Sequence, residues 1–183
     1  MTIRHSLLAF ALLATAGATS AAAQGSGPAS APAIANVYVP IFGVTAGIAL
    51  PVGRLADDHA AGYSLGGLVE YAVAGQPYAL RGELIFQRFA LKSGRPVGSS
   101  VNLTSLGATI VYKNAVTPSN TFVTGGIAIY NGTDLGTRPG VNAGGGVEIP
   151  LTGFSATGEA RLHVMLADGR PVLTIPLTVG IRF

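Results

Sequence analysis

Residues Leu173-Thr174-Ile175-Pro176-Leu177-Thr178-Val179-Gly180-Ile181-Arg182-Phe183 alternate between apolar and polar positions, and this stretch decides the fold. Leu173, Ile175, Leu177, Val179, Ile181 and Phe183 share one face. Thr174, Thr178, Gly180 and Arg182 share the other. A period of two marks a β-strand. A strand of about ten residues with an apolar outer face and a polar inner face is the unit of a transmembrane β-barrel. The barrel is expected to close on this terminal strand.

The opposite end carries an export pattern. Met1 to Ala23 has a basic start (Arg4, His5), an apolar run from Leu7 to Ala16, and small residues at Ala21-Ala22-Ala23. That order is the signature of a cleaved secretory signal, with cleavage expected before Gln24. The apolar run is too short and too rich in Ala to span about 30 Å of hydrocarbon well. Residues 24–41 follow as an Ala/Ser/Gly/Pro-rich segment, read as a flexible periplasmic leader.

Composition narrows the class. Only 10% of residues are charged, 26 are glycine, and there is no cysteine, so an exported chain of this kind uses neither disulfides nor thiol chemistry. The mean hydropathy is positive, yet no stretch after the signal approaches the ~18 consecutive apolar residues of a spanning helix. Apolar residues dispersed in alternation explain both facts. The net charge of +3 is not clustered, which argues against nucleic acid as a partner.

From Phe42 onward strand-like runs alternate with turn signals. The runs are Phe42–Leu50, Gly62–Val73, Tyr78–Ala90, Val101–Lys113, Thr121–Tyr130, Gly140–Ile149, Phe154–Met165 and Val172–Phe183. Together they predict an all-β fold, an eight-stranded antiparallel up-and-down transmembrane β-barrel over residues 42–183, which leaves no sheet edge. The connections after runs two, four and six are short (Gly75-Gln76, Asn114–Ser119, Leu151–Gly153). Those after runs one, three and five are longer (Pro51–Ala61, Lys92–Ser100, Asn131–Pro139). Outer-membrane barrels have short periplasmic turns and longer outer loops, so both termini are expected in the periplasm.

Charge follows the same parity. Asp57, Asp58, Asp134 and Asp168 fall in the proposed outer loops, whereas Glu70, Glu83, Glu148 and Glu159 fall inside strands on the polar face. In run three, Arg81, Glu83 and Gln87 oppose Leu80, Leu84 and Phe86. In run seven, Ser155, Thr157, Glu159, Arg161 and His163 oppose Ala160, Leu162 and Val164. The strand carboxylates share the lumen with Arg81, Arg161 and Arg182, which predicts an internal salt-bridge network, because buried ions must be paired. Tyr71, Tyr78, Tyr112, Phe154 and Phe183 all fall at the periplasmic end on the outward parity, as an aromatic girdle does. Tyr63 and Phe86 are candidates for the outer girdle, and Arg88 lies outward near the outer rim.

Three places resist the pattern. Pro176 cannot donate to a ladder, so a bulge or an unpaired position is expected there. Run five is nearly apolar on both parities and its facing is ambiguous. The inward glycines Gly43, Gly47, Gly66, Gly107, Gly126, Gly144, Gly146 and Gly180 are expected to leave space in the lumen, which keeps an upper cavity or narrow pore open as a reading.

With the signal and the eight runs, Val141-Asn142-Ala143-Gly144-Gly145-Gly146-Val147-Glu148 and the terminal Ile175–Phe183 segment resemble the small OmpA-type outer-membrane β-barrel superfamily. The resemblance covers Phe42 to Phe183. It implies an integral protein of the outer membrane in contact with membrane lipid and lipopolysaccharide, and expected to be a monomer. It also implies recognition of the last strand, through Ile181 and Phe183, by the barrel-assembly machinery. With nothing after Phe183, the peptidoglycan-binding domain of full-length OmpA proteins is expected to be absent.

Enzymatic readings fare less well. His163 shares a face with Ser155, Thr157 and Glu159, but residues four apart on one strand are about 13 Å apart, too far for direct hydrogen bonding. Two histidines after the signal and no cysteine offer no metal-ligand spacing, so no catalytic residue, metal or cofactor is expected. His59 beside Asp57 and Asp58 reads as a solvated loop cluster, and the 144–146 glycine run opens no helix, so it is not a phosphate loop. The expected role is structural or surface-interactive. A narrow passive channel or small-ligand carrier is the alternative, and a secreted lipocalin-like barrel the second. The second would need polar outward faces, and the chain has no tryptophan.

Overall fold

The computed structural model describes residues 40–72, 75–93, 100–116, 119–133, 135–167 and 169–183. The expected signal and most of the leader, with Asp134 and Asp168, lie outside the described residues. Eight strands follow one another: β1 (Pro40–Val52), β2 (Gly62–Ala72), β3 (Tyr78–Phe89), β4 (Val101–Val116), β5 (Ser119–Gly132), β6 (Gly136–Leu151), β7 (Phe154–Met165) and β8 (Val172–Arg182). Each pairs antiparallel with its sequence neighbours, and β8 pairs with β1 to close the barrel. Past the end of β8, Phe183 exchanges two backbone hydrogen bonds of 2.9 Å with Phe42.

Register sets the width. Stepping across partners from Ile41 passes Glu70, Arg81, Thr109, Gly126, Asn142, His163 and Thr174 and returns to β1 at Pro51, a shift of ten residues. Eight strands about 4.8 Å apart with that shift tilt by about 40° and enclose a radius of about 8 Å. An interior of that size can be filled by its own side chains.

Several boundaries differ from the sequence reading. β1 begins at Pro40, so the barrel takes in the last two residues assigned to the leader. The segment Asn131–Pro139, expected as a long outer loop, is mostly ladder, because β5 runs to Gly132 and β6 starts at Gly136. Asn114–Val116 likewise extends β4. The first outer loop contains a short helix, α1 (Arg54–Asp58), and His59 beyond it bridges to Leu91. The turn between β6 and β7 uses Gly153 at φ 85°, a left-handed value that a side chain would oppose.

The glycines correct another expectation. A Cβ at Gly47 would strike the Leu177 carbonyl oxygen, one at Gly126 that of Ala108, and one at Gly144 that of Ala160. These inward glycines let neighbouring strands approach and coil rather than widening the lumen. At Pro176 the register is unbroken, but the ladder to β7 lapses at Arg161 and Leu162 and resumes at His163–Thr174. Pro176 thus makes no bulge: it pairs with Ala49 of β1 and is unpaired only towards β7.

The faces are those of a barrel turned outward to lipid. Val179 and Ile127 are each 69% exposed, whereas Arg81 and Glu70 are fully buried. A soluble lipocalin-like barrel needs the opposite distribution.

Candidate functional site

The lumen is where polar chemistry gathers, and register arranges it in tiers along the barrel axis. At the mouth beside the start of β1 and the end of β8, Lys113 Nζ lies 2.7 Å from Glu70 Oε1 and 3.2 Å from Glu148 Oε2. Arg182 Nη1 reaches Glu148 Oε2 at 3.4 Å and Glu70 Oε2 at 3.5 Å. One step up, Arg81 Nε donates to Glu70 Oε2 at 3.1 Å, and its Nη1 pairs with Glu159 Oε2 at 3.1 Å. Arg161 closes the tier, pairing with Glu83 and Glu159 together. Thr109 Oγ1 donates to Glu83 at 3.0 Å.

Four cations therefore meet four carboxylates with no net charge. This balance is what burial demands, since an unpaired ion in a low-dielectric interior costs several kcal/mol. The seven residues expected in the lumen network, Glu70, Arg81, Glu83, Glu148, Glu159, Arg161 and Arg182, are all brought together. Lys113 is a further member. It shares parity with Thr109 and Val111, so alternation could have identified it; the sequence reading ended its strand there.

Phe122 was hidden by the ambiguous parity of strand β5. It is buried, with the Arg81 guanidinium 5.5 Å and the Arg182 guanidinium 5.2 Å from its ring centroid. Tyr130 also faces inward, and its hydroxyl lies 3.0 Å from His163 Nδ1. Above them, Phe89, Leu103, Tyr130 and Met165 are buried towards the outer end, with Leu135 and Val172 packed on the cluster of the last three. Between the charged tiers and this apolar cap lie Ser64, Gln87, Asn142, His163 and Thr174, each buried. An internal cavity of 20 Å³ adjoins this neutral polar layer.

Within the candidate nucleophile set Ser155, Thr157, Glu159 and His163, the last two make other contacts. His163 Nδ1 meets the Tyr130 hydroxyl, and Glu159 pairs with Arg81 and Arg161. On the outside, Tyr71, Tyr78, Tyr112, Phe154 and Phe183 are all exposed around the end of the barrel that holds Phe183, as is Ile181. Tyr63 and Phe86 pack at 6.1 Å towards the other end, and exposed Arg88 reaches Ser100 Oγ at 3.4 Å.

No protein-family model and no curated protein matches this sequence. Solved structures do. Neisserial surface protein A aligns with a TM-score of 0.64 at 17% identity, over 78% of this chain and 95% of that one. Ail, the attachment invasion locus protein of Yersinia pestis, aligns at 0.50 with 15% identity, over 78% and 98%. The fold is that of the small outer-membrane β-barrels. The outer membrane enzyme PagL shares it, with a TM-score of 0.50 and 13% identity over 79% of this chain and 99% of PagL. An outer-membrane enzyme and proteins of other description thus share this fold, so the role of this chain has to be argued from its own residues.

Proposed function

We propose that this chain is an integral outer-membrane barrel with a structural or surface-interaction role, its lumen plugged by the Arg/Lys/Glu network. The observation that carries this reading is the inversion of faces: apolar side chains outside, four ion-paired carboxylates inside. Outer-membrane lipid and lipopolysaccharide are the surroundings this exterior suits, and the aromatic ring at the periplasmic end suits an interfacial layer. Assembly by the barrel-assembly machinery, export by a cleaved signal and a monomeric state belong to the same reading. A non-enzymatic role is favoured because the charged groups of the lumen are ion-paired with one another.

The alternative of a narrow channel is disfavoured because the lumen-facing Arg and Glu side chains are almost wholly buried and ion-paired between strands. The test is membrane fractionation with gel mobility of boiled and unboiled protein. Recovery in the outer-membrane fraction with a heat-dependent shift supports the proposal; soluble protein with no shift overturns it. Planar-bilayer recording then separates plug from channel.

A further inference from the structure

We propose that the lumen holds one ordered water molecule bridging Ser64 on β2 to His163 on β7, above the ion-pair tiers. Both side chains are almost wholly buried, at 1% and 2% exposure. Ser64 Oγ and His163 Nε2 each lack a hydrogen-bonding partner within the protein. Both line the 20 Å³ cavity, together with Thr45, Thr178, Glu83 and Arg161. The orientation of His163 is fixed from its other side, where Nδ1 meets the Tyr130 hydroxyl at 3.0 Å and the two rings pack edge to face. Nε2 is thereby left for the cavity.

Size and charge select the occupant. One water needs about 10–15 Å³ by this measure and two to four polar partners, so the space suits a single molecule and excludes a larger solute. A cation would face the Arg161 guanidinium, and the nearby Glu83 and Glu159 are already paired with it. An anion would face those same carboxylates. A neutral dipole that both donates and accepts is what remains, and it satisfies two buried groups that would otherwise be costly. Gly47, in register with Ser64 on one side and Thr178 on the other, places no side chain between them. The result is a hydrogen-bonded line from Tyr130 on β5 through His163 on β7 and the water to Ser64 on β2, linking strands that are not neighbours in the sheet.

The test is water-to-protein magnetisation transfer by NMR on the whole barrel refolded in phospholipid nanodiscs, with labelled histidine. A cross-peak from a slowly exchanging water to the His163 ring is expected. It should vanish in Ser64→Val, whose methyl groups fill the space, while the heat-dependent gel shift is retained. Absence of the cross-peak in the folded wild-type barrel, or its unchanged persistence in Ser64→Val, overturns the proposal. Should Ser64→Val fail to fold, Ser64→Ala keeps the room and removes one partner. A weakened cross-peak is then expected, and an unchanged one overturns the bridge.

Discussion

Arg81 and Glu70 stand directly opposite each other in the β2–β3 ladder, Nε 3.1 Å from Oε2, and neither has any exposed surface. Such a pair is held less by its own attraction than by the cost of separating it. Replacing Glu70 with Leu leaves Arg81, Lys113 and Arg182 with too few carboxylates, and removing one partner of a buried pair costs about 3–5 kcal/mol. Urea unfolding in lipid vesicles, followed by loss of the fast-migrating gel form, should show that loss. Arg81→Met combined with Glu70→Leu should be non-additive by about 0.5–3 kcal/mol, because the two share one network.

Phe122 gives a second measurement. Its ring lies beside the guanidinium groups of Arg81 and Arg182, which also share Glu70. Phe122→Leu keeps an apolar side chain but removes the ring's negative face, and a desolvated cation–π contact is worth about 2 kcal/mol. Destabilisation should reach that order in the same urea assay. Ile127→Leu on the lipid face of the same strand should be nearly neutral.

Position along the outer face should matter as much as identity. Leu84 is exposed in the middle of the apolar belt, whereas Arg88, two repeats of the pleat further along β3, is an exposed cation at the rim. Leu84→Arg should cost about 2–4 kcal/mol and reduce recovery of folded barrel, and Arg88→Leu should cost little. Refolding yield by gel shift is the readout.

The two classes of glycine should separate cleanly. A Cβ at Gly126 would collide with the Ala108 carbonyl, while one at Gly67 meets nothing within 4 Å. Gly126→Ala should lower thermal stability of the folded form, and Gly67→Ala should leave it unchanged. Melting followed by gel mobility distinguishes them.

Conductance tests the plug. The wild-type barrel should pass no measurable ion current in planar bilayers. Removing the whole upper ion pair, as Glu83→Ala with Arg161→Ala, should raise current above baseline if the double variant retains its heat-dependent shift. A conducting wild type would favour the channel reading instead.

Much of this was written in the order of the residues. Alternation in Leu173–Phe183 and its counterparts determined strand number, closure and facing, because a period of two leaves a strand no other way to separate Arg81 and Glu83 from Leu80 and Leu84. The same parity placed the lumen charges and the periplasmic aromatics. What alternation could not determine was anything that depends on which residues meet across the barrel. Phe122 and Tyr130 sit on a strand with two apolar faces, so only pairing with β4 and β6 decides that they point inward. Lys113 joins Glu70 and Glu148 because the register shift of ten carries three distant strand ends to one level. The inward glycines illustrate the same limit. Their missing side chains suggested a wider lumen, yet tertiary structure spends the space on close contact between neighbouring strands. Facing is a local property of the chain, and proximity across a closed sheet is a property of its shear.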